Sequence, residues 1–222
     1  MAGTLALVGG AEWTDGCVFD AGLLAASGSN RVLVVPTAAA YEDPHALVER
    51  AGAWFASLGA EIDVLSVFRR PDASLPAAVA AVEAASMIYV AGGSPMHLRS
   101  VLKDTPVWDA VVARWLAGAV LAGSAEGATV MCSHMVDSRG GAFTVGLDLI
   151  ESLTVIPRYN TWSDDKWHRT VKLASADLAV VGIDERTAIM WDGTGWTEAG
   201  NGRVVVYVDG RRVELSELAP PM

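Results

Sequence analysis

The sequence predicts an α/β fold, a three-layer sandwich with a mainly parallel sheet between two layers of helices and an antiparallel extension at its C-terminal end. Short apolar runs alternate with segments of helical periodicity, the pattern of a parallel sheet covered on both faces. Runs such as VLVV and MIYVA lack polar alternation, which is typical of strands buried on both sides. After Ile183 the segments shorten and are joined by tight turns such as Asp209-Gly210, which favours antiparallel pairing.

The elements follow in order along the chain. Seven strands are predicted at Thr4–Val8, Arg31–Pro36, Glu61–Ser66, Met87–Ala91, Ala119–Ala122, Leu153–Ile156 and Leu178–Ile183. Helices are predicted at His45–Leu58, Leu75–Ala85, Met96–Trp115, Glu126–Ser133 and Asp164–Ala174. Four C-terminal strands are predicted at Thr187–Trp191, Gly195–Ala199, Arg203–Gly210 and Arg211–Leu215, extending the same sheet.

The amino-acid composition and net charge limit the classes of protein to which the chain can belong. With 222 residues, 52% of them hydrophobic, and a mean hydropathy of +0.34, the chain has enough apolar material for one sizeable core. No linker or repeat interrupts it, so we expect one domain over residues 1–222. The net charge is −10, from 16 basic and 26 acidic residues, and no Lys/Arg cluster could follow a phosphate backbone. Nucleic-acid binding is therefore not expected.

The same reasoning addresses compartment and cofactors. The start, MAGTLALVGG, has no basic segment ahead of its short apolar run, and no apolar stretch reaches the roughly 20 residues that span a bilayer. We expect a soluble, cytoplasmic chain with no membrane partner. Cys17 and Cys132 form neither a disulfide framework nor a CxxC motif, and the four histidines lack metal-ligand spacing. No metal and no cofactor are expected.

Three glycine-bearing turns follow predicted strands and are candidates for a ligand site. They are Val8-Gly9-Gly10-Ala11-Glu12, Val90-Ala91-Gly92-Gly93-Ser94-Pro95, and Leu121-Ala122-Gly123-Ser124-Ala125-Glu126-Gly127-Ala128. Ligands of open parallel sheets bind beyond the carboxyl ends of the strands, where free backbone N–H groups can hold an anion or a developing oxyanion. Any one Gly-Gly pair can equally serve a tight turn, but three such turns favour a shared pocket. Its predicted ligand-binding residues are Gly92, Gly93, Ser94 and Glu126, to which the family resemblance given below adds Arg158.

The third turn has the form of a nucleophile elbow. A strand leads through a sharp turn with small neighbours directly into a helix, and the small neighbours permit a strained backbone. Gly123 and Gly127 bracket the turn, and Ala125 stands at its expected apex. N–H groups at the start of the following helix can stabilise negative charge.

These motifs, in this order, resemble those of the serine peptidases of the cyanophycinase and dipeptidase E family. The family's Ala-Gly-Thr/Ser-Ser-Ala-Gly-Ala aligns without gaps so that Ala125 falls on the nucleophile position. Val155-Ile156-Pro157-Arg158-Tyr159 is similar to the strand that carries the catalytic histidine, with Arg158 in its place. Ala91-Gly92-Gly93 looks like the second oxyanion-hole element, and Gly182–Ala188 is similar to Gly-Ile-Asp-Glu-x-Thr-Ala. The resemblance covers about residues 4 to 208 and implies a class I glutamine amidotransferase-like fold.

The two substitutions bear directly on function. Alanine has no nucleophilic atom, and arginine stays protonated near neutral pH, so neither can perform the role that the resemblance gives its position. One hypothesis is therefore a homologue without the family's hydrolytic mechanism, which binds a small peptide-like or anionic ligand or a partner. The alternative is an active serine-type hydrolase of small peptides or isopeptides with rearranged residues, using Ser124. A third is different chemistry, with Glu126 and either His134 or His168.

The remaining candidates are acidic. Glu126 is either a first-turn acid favoured by the helix dipole or a carboxylate paired with Arg158, where an anionic ligand would otherwise lie. Asp137 falls in the interval where the resemblance puts the third member of the triad, and without a histidine to orient it would be a loop acid. Association into a homo-oligomer is left open.

Overall fold

The central feature is a seven-stranded sheet in the order β11-β10-β1-β5-β4-β2-β3. The computed structural model describes residues 2–222; Met1, the first residue of the predicted domain, lies outside the described residues. The strands of this sheet are β1 (Leu5–Val8), β2 (Arg31–Val35), β3 (Glu61–Val64), β4 (Met87–Val90), β5 (Val120–Ser124), β10 (Thr187–Trp191) and β11 (Trp196–Gly200). The first five are parallel, and β10 and β11 add to β1 as antiparallel strands.

Six further strands lie outside that sheet. They are β6 (His134–Val136), β7 (Phe143–Val145), β8 (Leu153–Pro157), β9 (Ala179–Ile183), β12 (Val204–Val208) and β13 (Arg211–Val213). A second sheet has the order β13-β12-β9-β8, with β8 and β9 parallel and the other pairs antiparallel. β6 and β7 form a two-stranded antiparallel ribbon.

Residues 2–222 form seven α-helices, four of which have proline at the first helical position. They are α1 (Phe19–Ser27), α2 (Pro44–Ser57), α3 (Pro76–Ala84), α4 (Pro95–Leu102), α5 (Pro106–Leu116), α6 (Glu126–Met131) and α7 (Asp164–Leu173). Proline suits that position because its missing N–H has no partner there in any case. Asp43, Ser94 and Thr105 cap α2, α4 and α5 by accepting backbone N–H groups.

Alternation along the central strands divides the core between the two faces of the sheet. Leu5 and Leu7 of β1 pack with apolar residues of α3, α4, α5 and α6, whereas Ala6 and Val8 pack with those of α1 and α2. This is the period-two pattern of a strand covered on both sides. The second sheet also contributes to the first of these clusters, and its other face packs against α7. The predicted three-layer α/β sandwich with its antiparallel extension is confirmed.

Four expectations about individual elements were wrong. The strands predicted at Leu153–Ile156 and Leu178–Ile183 exist, but they form the second sheet rather than extending the first. The C-terminal strands are divided between the two sheets. The helix predicted at Met96–Trp115 is two helices, because Pro106 begins a new helix that Thr105 caps. Helix α1 and the β6–β7 ribbon were not predicted. Among residues 2–222, no helix is long and apolar enough to cross a membrane.

Candidate active site

The three glycine-bearing turns lie side by side. Strand β5 is hydrogen-bonded between β1 and β4 and is parallel to both, so the turns that follow these strands meet at one edge of the sheet. The Ala125 N–H donates to the Val8 carbonyl at 2.9 Å, which joins the elbow to the end of β1. The three turns therefore lie together as expected, and their use as a shared ligand site stays a prediction.

Ala125 occupies the apex of a strained turn between β5 and α6. Its backbone angles are φ 50° and ψ −114°, outside the regions that residues with a Cβ ordinarily adopt, and it is buried. Close packing accounts for the glycines beside it. A Cβ on Gly123 would lie 2.8 Å from the Gly127 carbonyl oxygen, and a Cβ on Gly127 would lie 2.4 Å from the Val90 carbonyl oxygen. The predicted elbow is confirmed, with a methyl group at its apex.

Arg158 follows β8 and reaches the elbow from the second sheet. It has a left-handed backbone (φ 49°, ψ 42°), and its N–H donates to the Gly9 carbonyl at 2.7 Å. Its side chain passes over Gly10, where an added Cβ would lie 3.0 Å from Arg158 Cγ. The prediction that Arg158 projects towards the elbow is confirmed.

The Glu126 carboxylate lies between Arg158 and the turn after β4. One oxygen, Oε1, accepts a hydrogen bond from Arg158 Nη2, and the other, Oε2, accepts the Gly93 N–H at 3.2 Å. The Glu126 side chain is 11% exposed and that of Arg158 is 38% exposed. Of the two interpretations of Glu126, the ion pair with Arg158 is the one observed. This carboxylate therefore contacts the Arg158 guanidinium and the Gly93 N–H, two of the groups that were predicted to bind a ligand.

Close contacts with neighbouring atoms leave no room for a side chain at the two glycines after β4. An added Cβ on Gly92 would lie 3.0 Å from the Ala125 methyl, and one on Gly93 (φ 141°) would lie 2.5 Å from the Ala38 carbonyl oxygen. Ser94, predicted to bind ligand, has its polar groups engaged inside the protein. Its N–H donates to Ala38 O at 2.8 Å, and its hydroxyl accepts the His97 N–H as the cap of α4.

Ser124 is the last residue of β5, immediately before the apex of the elbow. It is fully buried, and its hydroxyl donates to Glu12 Oε2 at 2.9 Å. Glu12 lies in the turn after β1, and no role was predicted for it from the sequence. Its position in the first Gly-Gly turn was the available signal. The hydroxyl of Ser124 is thus held by a carboxylate in the interior.

The weaker candidates lie apart from the Glu126–Arg158 pair. Asp137 pairs with Arg139 at 2.7 Å, and the hydrogen bonds from Arg139 lower the pKa of Asp137 to about 2. His134 is exposed at the start of β6. The exposed His168 ring stacks on Trp167, and its Nδ1 lies 2.7 Å from the Asp164 carbonyl. Within residues 2–222, none of the three forms a hydrogen bond or ion pair with Arg158 or Glu126. Asp137 is thus paired with Arg139, and Glu126 is the acid that pairs with Arg158.

Two small cavities flank the Glu126–Arg158 pair, and both residues line each of them. The first, the glutamate lobe, has a volume of about 190 Å³ and also includes Glu12, Glu42, Arg50, Gly92 and Ala125. The second, the lysine lobe, has a volume of about 160 Å³ and also includes Pro95, Ser138, Trp162 and Lys166.

Lys166, on α7, is a second group that sequence reasoning missed. Its Nζ lies 3.7 Å from the centroid of the Trp162 ring, a cation–π contact. Burial and the nearby charge of Arg158 lower the pKa of Lys166. Its position four residues after Trp162 and eight after Arg158 was the signal available in the sequence. In the described chain, 2–222, no cluster of His, Cys, Asp or Glu side chains could hold a metal ion.

A parallel sheet in which one strand ends in a strained elbow, beside a glycine turn whose Gly93 N–H donates to the first residue of the elbow helix, defines the class of α/β proteins built around a nucleophile elbow. The comparisons with known proteins narrow that class. The profile of Peptidase family S51 matches residues 12–199, and the chain belongs to this family.

Relatives and solved structures agree with that assignment. The chain is 28% identical over 192 residues to a cyanophycinase of Nostoc sp. (strain PCC 7120), covering 81% of this chain and 64% of the relative. It thus spans less than two thirds of that relative's length. The crystal structure of a peptidase from an acI-B1 Actinobacterium superposes with a TM-score of 0.86 at 30% identity, covering 97% of this chain and 95% of that one. A candidate peptidase E of Listeria monocytogenes EGD-e, 20% identical, shares the fold with a TM-score of 0.72 over 91% of this chain and all of that one.

Proposed function

We propose that this member of the S51 family does not hydrolyse peptides by a serine mechanism and instead binds a small anionic or peptide-like ligand beside the elbow. The observation that carries the proposal is the methyl group of Ala125 at the apex, in the backbone geometry that presents a nucleophile. A methyl group can neither attack a carbonyl nor form a covalent intermediate.

The groups around Ala125 support binding rather than bond cleavage. Arg158 is a permanent cation and cannot accept a proton from a nucleophile near neutral pH. The Gly93 N–H, which could stabilise an oxyanion, is bonded to Glu126. Together, a guanidinium and a backbone N–H that converge on one carboxylate have the chemistry of an anion-binding site.

The alternative, an active serine-type hydrolase with rearranged residues, depends on Ser124. That hydroxyl is buried and Ser124 lines neither lobe, so it is not exposed to a substrate, although Glu12, the carboxylate to which it donates, lines the glutamate lobe. A mechanism that uses Glu126 with a histidine lacks the second partner, because His134 and His168 are both exposed and separate from the pair.

Turnover measurements test the absence of hydrolysis. We expect the unmodified protein to release no product above background from an aspartyl dipeptide or from cyanophycin, with Ser124→Ala assayed beside it. Turnover that Ser124→Ala abolishes would establish the alternative. Turnover that survives Ser124→Ala would mean chemistry outside the residues considered, and either result would contradict the proposal.

A binding measurement tests the second half of the proposal. Glu126→Ala removes the carboxylate that now uses Arg158 and Gly93, so we expect acetate binding, followed by calorimetry, to strengthen about tenfold or more. Glu42→Ala is the matched control, because Glu42 lines the glutamate lobe without contacting the pair. Equal effects of the two changes, or no gain in Glu126→Ala, would remove the anion-binding assignment.

A further inference from the structure

One of the charged side chains around the lysine lobe has no ion-pair partner among residues 2–222. Arg158 is paired with Glu126, and Asp137 is paired with Arg139. Lys166 makes no ion pair with any of residues 2–222, and the nearby Asp137 carboxylate, which favours the charged form of Lys166, is already paired with Arg139. The lobe consequently carries about one positive charge without a protein anion to match it, in a chain whose net charge is −10.

The surroundings of Lys166 give this charge a defined position. The Trp162 ring holds the ammonium group at 3.7 Å from its centroid, and the Ser138 hydroxyl lines the same cavity. The lining also includes the apolar residues Pro95, Val136 and Pro157 and the two threonines Thr129 and Thr161. A cation on one side and flat or apolar surface around it favour a ligand of the same composition, a charged group on a compact apolar body.

We propose that the lysine lobe is the subsite for the carboxylate of a small organic acid, which Lys166 binds directly while the apolar body of the acid packs against Trp162. The inference rests on the proposed function and specifies the ligand of that site. One unmatched positive charge corresponds to a monoanion, whereas a phosphate dianion beside Glu126 would leave a negative charge in excess. The volume of about 160 Å³ limits the bound part to a single small group.

Calorimetric titration with benzoate, and with benzamide as its neutral counterpart, tests this assignment. We expect benzoate to bind the unmodified protein and benzamide to bind at least tenfold more weakly. Lys166→Met keeps an unbranched side chain over Trp162 without the charge and should weaken benzoate binding about tenfold or more. Lys166→Arg should keep binding within about threefold, and Lys172→Met, on the same helix but outside the cavity, should leave it unchanged.

The pKa of Lys166 is a second measurable quantity, and it does not depend on binding affinity alone. Because a bound carboxylate favours the charged form of Lys166, saturation with benzoate should raise the pKa of Lys166, measured by NMR of the side chain. N-acetylglycylglycine, titrated in parallel, distinguishes a peptide C-terminus from a free aromatic acid as the source of the carboxylate.

Several outcomes would overturn the inference. They are a failure of both carboxylates to bind, equal binding of benzamide, or a Lys166→Met protein that binds benzoate normally. None of them bears on whether peptide bonds are cleaved, because turnover is measured separately. Conversely, peptidase turnover would refute the proposed function while leaving the benzoate result intact.

Discussion

Ala125 holds a backbone conformation that its own side chain does not favour. A residue with a Cβ in a sparsely populated region costs about 1–3 kcal/mol, which the surrounding structure must offset. Here the offset comes from close packing of α6 on the strands and from the hydrogen bond that the N–H of Ala125 donates to the Val8 carbonyl.

The sequence alone located Ala125, because Gly123 and Gly127 bracket it. The interior bond between Ser124 and Glu12 was not predictable, since it joins residues 112 positions apart.

Replacing Ala125 with glycine tests the strain. Glycine adopts positive φ freely, so relief of strain should offset the greater entropy of the unfolded chain, about 0.5–1 kcal/mol. We expect Ala125→Gly to leave the free energy of unfolding unchanged or higher in denaturant titrations. Ala128→Gly, buried in the same short helix, should lower it by about 1 kcal/mol or more. Equal losses in the two variants would mean that the elbow carries no strain.

The strength of the Glu126–Arg158 ion pair can be measured as a coupling free energy. Its burial lies between that of a surface pair and a fully buried one, so we expect a coupling free energy of about 1–2 kcal/mol. A double-mutant cycle with Glu126→Gln and Arg158→Gln measures it, and the coupling should decrease as salt is added. A coupling near zero at low salt would show that the two side chains do not interact in solution.

Among the helices, α1 was not predicted and the helix predicted at Met96–Trp115 is divided at Pro106, and these two differences have separate causes. Helix α1 places Asp20, an acid, on its buried face, which breaks the apolar pattern that identifies an amphipathic helix. Its contact is with Trp54 of α2, whose Nε1–H donates to Asp20 Oδ2 at 2.8 Å. The break before Pro106 was present in the sequence as a cap followed by proline. The assignment of β8 and β9 to a second sheet depends on tertiary packing, which strand patterns do not encode.

Asp20 should make the stability of the α1–α2 packing depend on pH. Burial, with a smaller contribution from Glu12, raises the pKa of Asp20 to about 7, although the Trp54 hydrogen bond opposes this. The folded state therefore binds more protons than the unfolded state between about pH 4 and pH 7, and stability falls as pH rises through that range. The contribution of one group is at most about 1.4 kcal/mol per pH unit.

The comparison of Asp20→Asn with the unmodified protein isolates this group. We expect the variant to be the more stable of the two at pH 8 and to lose that advantage by about pH 4, as measured by urea unfolding across the range. Asp109→Asn, an acid in the first turn of α5, is the control and should not reproduce the difference. A difference that does not change with pH would contradict a raised pKa at Asp20.

At the scale of the whole molecule, the site is assembled from both sheets. The central sheet supplies the elbow and the glycine turns, and the second sheet supplies Arg158, which the Gly9 carbonyl fixes in position. Sequence patterns predicted the turns and their shared edge, because the carboxyl ends of parallel strands must meet, whereas the position of Arg158 beside the elbow was predicted from the family resemblance. They did not predict Lys166 as part of the site, because its approach to Trp162 and Arg158 depends on how α7 packs against the second sheet.

The central claim is that the elbow keeps the geometry of a nucleophile site without a nucleophile. Labelling with a serine-directed fluorophosphonate, followed by intact mass, tests it most directly on the unmodified protein, Ala125→Ser/Arg158→His, and the same pair with Glu126→Ala. We predict no adduct on the unmodified protein and one adduct on each restored variant. The triple variant should react faster, because Glu126 no longer opposes a developing oxyanion. An adduct on the unmodified protein that Ser124→Ala removes, or restored variants that fold but never react, would contradict the claim.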